Sequence, residues 1–371
     1  MSGVPVAVVA SGCVSALGFN ARACWTAIRA KLSGLRTESL CDPYSGEPIS
    51  IGRVPLPQWW EGVGKLADLL APALLECLRA AEAAGLARAE LAGVPLVLAL
   101  PEVGRCHRPA TLERELIAEI EQRLGPLHPD SSLISSGRSG GVLALDAAVA
   151  RLRGGGVQCC IVAGVDSFLH LETVQSYVDR RRIVTPDNSN GFFPGEAGAA
   201  VLLAPGRGHP LGELHLLGLG VAHEQASIES DLPLRGDGLC AAIREALAPA
   251  GMTLLDVDYR LTDLNAERYK FKESTLAIAK LDRKVDALGR EAPDDRTLEL
   301  WHPIEYLGEV GAAIVPCLLG LALEAGRAGW APGPVALCHV SDDDGQRAAV
   351  VVRSHPGRAP AAFLGRAIRE R

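Results

Sequence analysis

The stretch "SSGRSGG", residues 135–141, puts a permanent cation, Arg138, behind a tight polar turn where "VLALDAAVARL" opens an apolar helical run. A guanidinium at the start of a helix faces the positive end of the dipole, which disfavours it by roughly 0.3–1 kcal/mol. Burial costs several kcal/mol more unless a carboxylate pairs with it. Arg138 is therefore either a fork that binds a carboxylate or phosphate, or a structural plug paired inside the protein. It stays protonated and offers no nucleophilic lone pair. Other residues could also do chemistry, and each has a plainer reading. Cys106 and His107 are adjacent, and adjacent side chains seldom converge as nucleophile and base. Asp342, Asp343 and Asp344 in "SDDDG" could chelate a divalent cation, but a solvated acidic turn is the simpler expectation. Asn188 and Asn190 are turn formers first. "DRRR" at 179–182 reads as a solvated loop.

The elements that must position these residues alternate. "VPVAVVASGCVSALG" (4–18) is a β-branched strand run, followed by a helix N-capped by Asn20. Residues 36–62, with Trp59 and Trp60, show no periodicity and read as a loop-rich insertion of unassigned role. Helical pattern at 64–90, a strand at 94–100, a helix at 111–124, strand "SSLIS", the helix beyond Arg138 and strand "CCIVAGV" (159–165) follow. "GFFPGEAGAAVLLAP" (191–205) is a turn feeding a buried strand. The order then repeats: strand 213–222, helix 237–250, strand 259–264, helices 273–285 and 305–326, and two closing strands around "SDDDG". Buried strands alternating with helices predict a sheet covered on both faces, in two similar βαβ-rich halves joined near 205–212.

The bulk composition agrees. A chain of 371 residues exceeds one hydrophobic core, and 48% hydrophobic residues with 40 glycines and 24 prolines suit a compact α/β protein. A net charge of −7 leaves no basic footprint for nucleic acid. The ten cysteines form no CxxC pair and lie mostly in apolar stretches, as reduced buried thiols do. The opening "MSGVPVAVVASG" lacks a basic leader, and no uninterrupted apolar run reaches membrane-spanning length. The expectation is a soluble cytoplasmic protein with no metal, cofactor, nucleic-acid or membrane partner.

Five segments in order resemble the thiolase-like superfamily, in particular the β-ketoacyl-acyl-carrier-protein synthases. They are the opening strand and helix, the turn and helix around Arg138, "NGFFPGEAGAA" with Glu196 in the family's glutamate position, "LNAER", and "EYLGEVGAA". The resemblance implies an α/β thiolase-like fold layered α-β-α-β-α, with halves at 1–208 and 209–355 and a tail at 356–371. It also implies condensation by a cysteine thiolate and two histidines, and here each position differs. The cysteine position is Arg138, flanked by Ser139. The first histidine position falls on Glu267. The second, aligned against the Gly-His-Leu-Leu-Gly-Ala-Ala-Gly helix start through Gly308 and Gly311, falls on Glu305; the preceding lysine falls on Leu300. In the loop that gates the acyl tunnel, Asp343 takes the place of a phenylalanine.

Glutamates opposite a developing enolate would repel it, so no condensing activity is expected. Arg138, Glu267 and Glu305 are expected to form a charge network in the old pocket, with Ser139, Glu196, Asp342, Asp343, Asp344 and His302 around it. A glutamate acid/base pair for new chemistry is the alternative to that network, and His302 could stand in for a lost histidine after a register shift. "TPDNSNGFFPGE" (185–196) further resembles inactive thiolase-like chains that accompany type VI secretion effector clusters, which implies an accessory or effector-loading protein. A chain-length-factor-like partner of an active ketosynthase, or an acyltransferase with altered chemistry, are the other readings. The family implies a homodimer or a heterodimer through "CCIVAGV".

Overall fold

The computed structural model describes residues 4–57, 61–83, 91–283, 285–293 and 296–357, so Trp59, Trp60 and most of the 356–371 tail lie outside the described residues. The first half runs β1 (Val6–Ser15), α1 (Ala21–Arg29), the ribbon β2 (Arg36–Cys41) and β3 (Pro48–Ile51), α2 (Val63–Ala83), β4 (Leu96–Leu100), α3 (Leu112–Leu124), β5 (Ser132–Ser135), α4 (Gly140–Arg153), β6 (Cys160–Ser167), α5 (Leu171–Asp179) and β7 (Glu196–Pro205). The second half runs β8 (Gly212–His223), α6 (Asp237–Leu247), β9 (Tyr259–Thr262), α7 (Arg268–Leu281), β10 (Glu299–Trp301), α8 (Ile304–Leu307), α9 (Ile314–Arg327), β11 (Val335–Ser341) and β12 (Gln346–Pro356).

Ten strands form one sheet in the order β10-β9-β11-β12-β8-β1-β7-β6-β4-β5. Read outward from the centre, each half repeats the same wiring. Its first strand pairs antiparallel with its last, the last with the fourth, and the fourth runs parallel to the second, which carries the third at the edge. Within the sheet, the halves join where Ala7 and Val8 pair with His215 and Leu214. One apolar cluster lies between the two halves and includes α1, α4 and α9; a second lies under α2 and α3; a third lies under α6 and α7. The layers are therefore α-β-α-β-α, the thiolase-like arrangement.

Burial explains the elements. "IVPCLLGLALEAGR" is apolar on nearly every side, and α9 sits in the central layer with its apolar side chains buried, each contributing about 1.5–3 kcal/mol. Pro316 is accommodated because it falls in the first turn, where N–H groups lack helical partners. Asn20 caps α1 as expected, its Oδ1 accepting from the Ala23 N–H at 2.9 Å. Backbone approaches backbone where α2 crosses β1: a Cβ on Gly12 would stand 2.1 Å from the Ala73 carbonyl oxygen.

Four expectations are corrected. The insertion contains the β2–β3 ribbon, whose Ile49 and Ile51 pack with α5 and Phe192 in a small core of their own. The helix expected at 273–285 begins five residues earlier, at Arg268. The helix expected at 305–326 is broken at Gly308, which has φ +78°, into α8 and α9. Finally, "CCIVAGV" is not an edge: β6 is paired with β4 on one side and β7 on the other, so it has no free ladder to offer a second chain. The outer strand of that half is β5.

Candidate functional site

The turn before α4 shows what the Arg138 position requires. Gly137 takes φ +56°, and Arg138 and Ser139 follow in the turn, Ser139 being the residue before the helix. The loop between β11 and β12 turns Asp342 inward, where its two oxygens accept the Arg138 N–H at 2.8 Å and the Ser139 N–H at 2.7 Å. The positive end of α4 is thus neutralised by a carboxylate of the protein itself. The Ser139 hydroxyl bonds the Gln346 side chain and the Ser136 carbonyl.

Freed from the helix terminus, the Arg138 guanidinium reaches across the central layer. It is 3% exposed; its Nε and Nη2 donate to the two oxygens of Glu309 at 3.1 and 3.0 Å, and its Nη1 donates to Asp343 at 3.2 Å. Asp343 is shared, because Arg182 donates to it at 2.7 and 3.1 Å and holds Glu267 at 2.7 and 3.1 Å. The Asn265 amide closes the circuit by donating to Glu267 and Glu309, each at 3.1 Å. Lys270 rests on Asp263 at 2.5 Å beside them, and Arg105 pairs with Glu102 and Asp166 and lies 4.0 Å from the Phe168 ring centre.

Burial pushes the Glu309 carboxyl up, but Arg138 and then Lys270 outweigh it and hold it at about 2. Asp343 is also pushed up by burial, and Arg138 and Arg182 bring it well below the usual carboxylate range. Asp342 behaves oppositely: burial lifts it to about 7 in spite of Arg138 and the Ser139 bonds, with Glu102 adding to the rise.

The expected network is therefore changed in membership. Glu267 is in it, but through Arg182 and Asn265, with no direct bond to Arg138 among the described residues. Glu305 is not: its side chain is 47% exposed, 4.0 Å from His302 Nδ1. Glu309 takes that place. Aligning the family's Gly-His pair on Gly308–Glu309, with one residue fewer before Gly311, would have found it. His302 lies at the surface, edge-on to Phe271 with ring centres 5.9 Å apart. Glu196 belongs to a separate buried cluster, bound to Lys65 at 2.8 Å, to the Val54 N–H and to the Ser167 hydroxyl. The acidic turn is solvated only at Asp344, and of the 180–182 arginines Arg182 is buried. No sequence signal separated Arg182 from its neighbours. Cys106 and His107 line a small cavity of about 110 Å³ with Pro101, Leu112 and His170, outside the network.

Chemically, the arrangement presents two obstacles to acyl transfer. The position that the resemblance gives to the nucleophile holds a guanidinium, which offers no nucleophilic lone pair. The backbone N–H groups that a thioester oxyanion would need at the head of α4 are already occupied by Asp342. Among the described residues no group of His, Cys, Asp and Glu side chains is placed to hold a metal, and no helix is long and apolar enough to cross a membrane.

Residues 127–208 match the family model for the beta-ketoacyl synthase N-terminal domain. No curated protein matches the chain. Among solved structures, a chain of the complex of the ketosynthase ApeO with its chain length factor ApeC from Xenorhabdus doucetiae is similar with TM-score 0.71 and 15% identity, over 96% of this chain and 100% of that one. The ishigamide ketosynthase/chain length factor is similar with TM-score 0.65 and 20% identity, over 94% and 99%. The oxazolomycin ketosynthase domain OzmH KS7 of Streptomyces albus JA3453 reaches TM-score 0.73 at 15% identity, over 96% and 76%. The chain therefore has the ketosynthase fold, with a buried ion-pair network built around Arg138.

Proposed function

We propose that this chain is a non-condensing ketosynthase-fold protein that works by pairing with another chain of the same fold, as a chain-length-factor-like partner. The observation that carries the first part is that Arg138, which the resemblance sets in the nucleophile's position, is held by Glu309 and Asp343. The pairing part draws support from the structural neighbours, two of which come from ketosynthase and chain length factor assemblies. Of the two edge strands, β5 and β10, the reading takes β5 as the ladder for sheet extension. The 185–196 segment favours a different reading, an accessory or effector-loading protein whose partner is a type VI secretion effector; that reading rests on the sequence of one segment, whereas the neighbours cover nearly the whole chain.

Two measurements test the reading. Incubation with acyl- and malonyl-carrier-protein thioesters should leave the intact mass unchanged and yield no ketoacyl product. Acyl transfer, or turnover abolished by Arg138→Ala, would overturn it in favour of altered acyltransferase chemistry. Affinity purification from the native cell should recover a ketosynthase-fold chain; recovery of a secretion effector instead overturns the pairing and selects the effector-loading reading.

A further inference from the structure

We infer that the junction of β9, β11 and α7 is a binding site for a monatomic inorganic anion of the chloride class, held by Arg260 and His339. The strand register puts both side chains on one face of the sheet. Leu337 pairs with Arg260 and His339 with Thr262, while the alternate residues Tyr259, Leu261, Cys338 and Val340 pack in the central layer. Arg260, Thr262 and His339 therefore turn the other way, toward α7, where the Arg260 Nη1 donates to the Ser274 hydroxyl at 3.1 Å. Arg260 and His339 stand two residues out of register on adjacent strands, which sets their Cα atoms roughly 8 Å apart.

The first observation that points to a ligand is unmatched hydrogen bonding. His339 is 1% exposed, and among the described residues neither of its ring nitrogens has a hydrogen-bond partner. The Arg260 Nε is likewise shut off from solvent and likewise without a partner. Buried polar groups are nearly always matched, so donors gathered on one face point to an acceptor that the chain itself does not supply. Burial first, and then Arg260 and Lys270, hold the imidazole at about 3, so at neutral pH it is uncharged and donates from one nitrogen.

The second observation is charge. Lys270 is committed to Asp263, and Arg347 to Glu273. Arg260 makes no ion pair among the described residues, and Asp282, which acts on it through space, is itself held by Arg296. One cation is thus left over beside an apolar cluster that includes Leu337, Ala277 and Ile278. A monovalent ion cancels that charge, whereas a phosphate dianion would exceed it. The apolar surround strengthens the attraction by excluding water. Arg260 is partly exposed and lies one strand from the sheet edge at β10, which gives a small ion its way in.

The site shares no residue with β5, so its failure leaves the pairing reading untouched. Two measurements on the full chain test it. Crystals grown in sodium bromide and diffracted at the bromine absorption edge should show an anomalous peak within hydrogen-bond reach of Arg260 Nε and the His339 ring. The unfolding temperature should rise to saturation with sodium chloride replacing sodium gluconate at constant ionic strength. Arg260→Met, which keeps the aliphatic stem and removes the charge, should weaken the apparent chloride affinity about tenfold. A site holding water with no anomalous peak would overturn the proposal. So would an unfolding temperature indifferent to chloride, or a chloride effect undiminished in Arg260→Met. If that variant does not fold, the bromide peak and the wild-type chloride titration decide between these outcomes.

Discussion

Arg138 is tolerated in the interior because chain positions 171 and 205 residues away, Glu309 and Asp343, bring carboxylates to it. Two neighbouring carboxyls then respond to pH in opposite senses. Asp342 titrates near about 7 in the fold and near ~3.9 when unfolded, so the folded chain takes up its proton first. The stability this contributes is complete below about pH 4 and is lost as pH rises through about 7. Glu309, held at about 2, contributes stability that is present above ~4.3 and lost as pH falls through about 2. In urea unfolding across a pH series, Asp342→Asn should flatten the decline between about pH 4 and 7. Glu309→Gln should lessen the acid-side fall, leaving the part due to Asp343, and cost about 3–5 kcal/mol at neutral pH by stripping Arg138 of its bidentate partner. Unchanged profiles in both variants would dissociate these groups from the stability of the network.

At the scale of elements, the turn into α4 fixes everything downstream of it. A Cβ on Gly137 would stand 2.8 Å from Asp342 Oδ1 and 2.9 Å from Glu102 Oε2, and the residue's φ of +56° already disfavours a side chain. Gly137→Ala should therefore lower stability by about 1–3 kcal/mol, read as a fall in Tm, because both the turn and the carboxylate cap of α4 must shift. Strong periodicity made the long elements readable: α1 with its Asn20 cap, α3, α4 and the apolar strands. It failed where short elements depend on partners. β10 spans three residues and forms because β9 offers a parallel ladder, and the β2–β3 ribbon is held by packing on α5. The break between α8 and α9 was read through because an apolar run cannot report that Gly308 turns the chain.

For the whole molecule, two identically wired halves place their edges at β5 and β10, with β6 locked inside. A charged residue on an edge strand blocks extension, so Ser132→Lys should abolish pairing in analytical ultracentrifugation while far-ultraviolet circular dichroism stays unchanged. Pairing that survives would move the interface elsewhere. The amino-acid sequence by itself determined the layered α/β architecture, the repeat of strand and helix, and the presence of a permanent cation at the head of α4. These are local matters, set by hydrophobic periodicity and by residue type. Only the tertiary structure decided which carboxylates neutralise Arg138, that Arg182 is buried while Arg181 is not, and which strands lie at the edges of the sheet. Those outcomes depend on approaches between segments about two hundred residues apart, where a shift of four residues in register exchanges Glu305 for Glu309 and moves a charge from solvent to core.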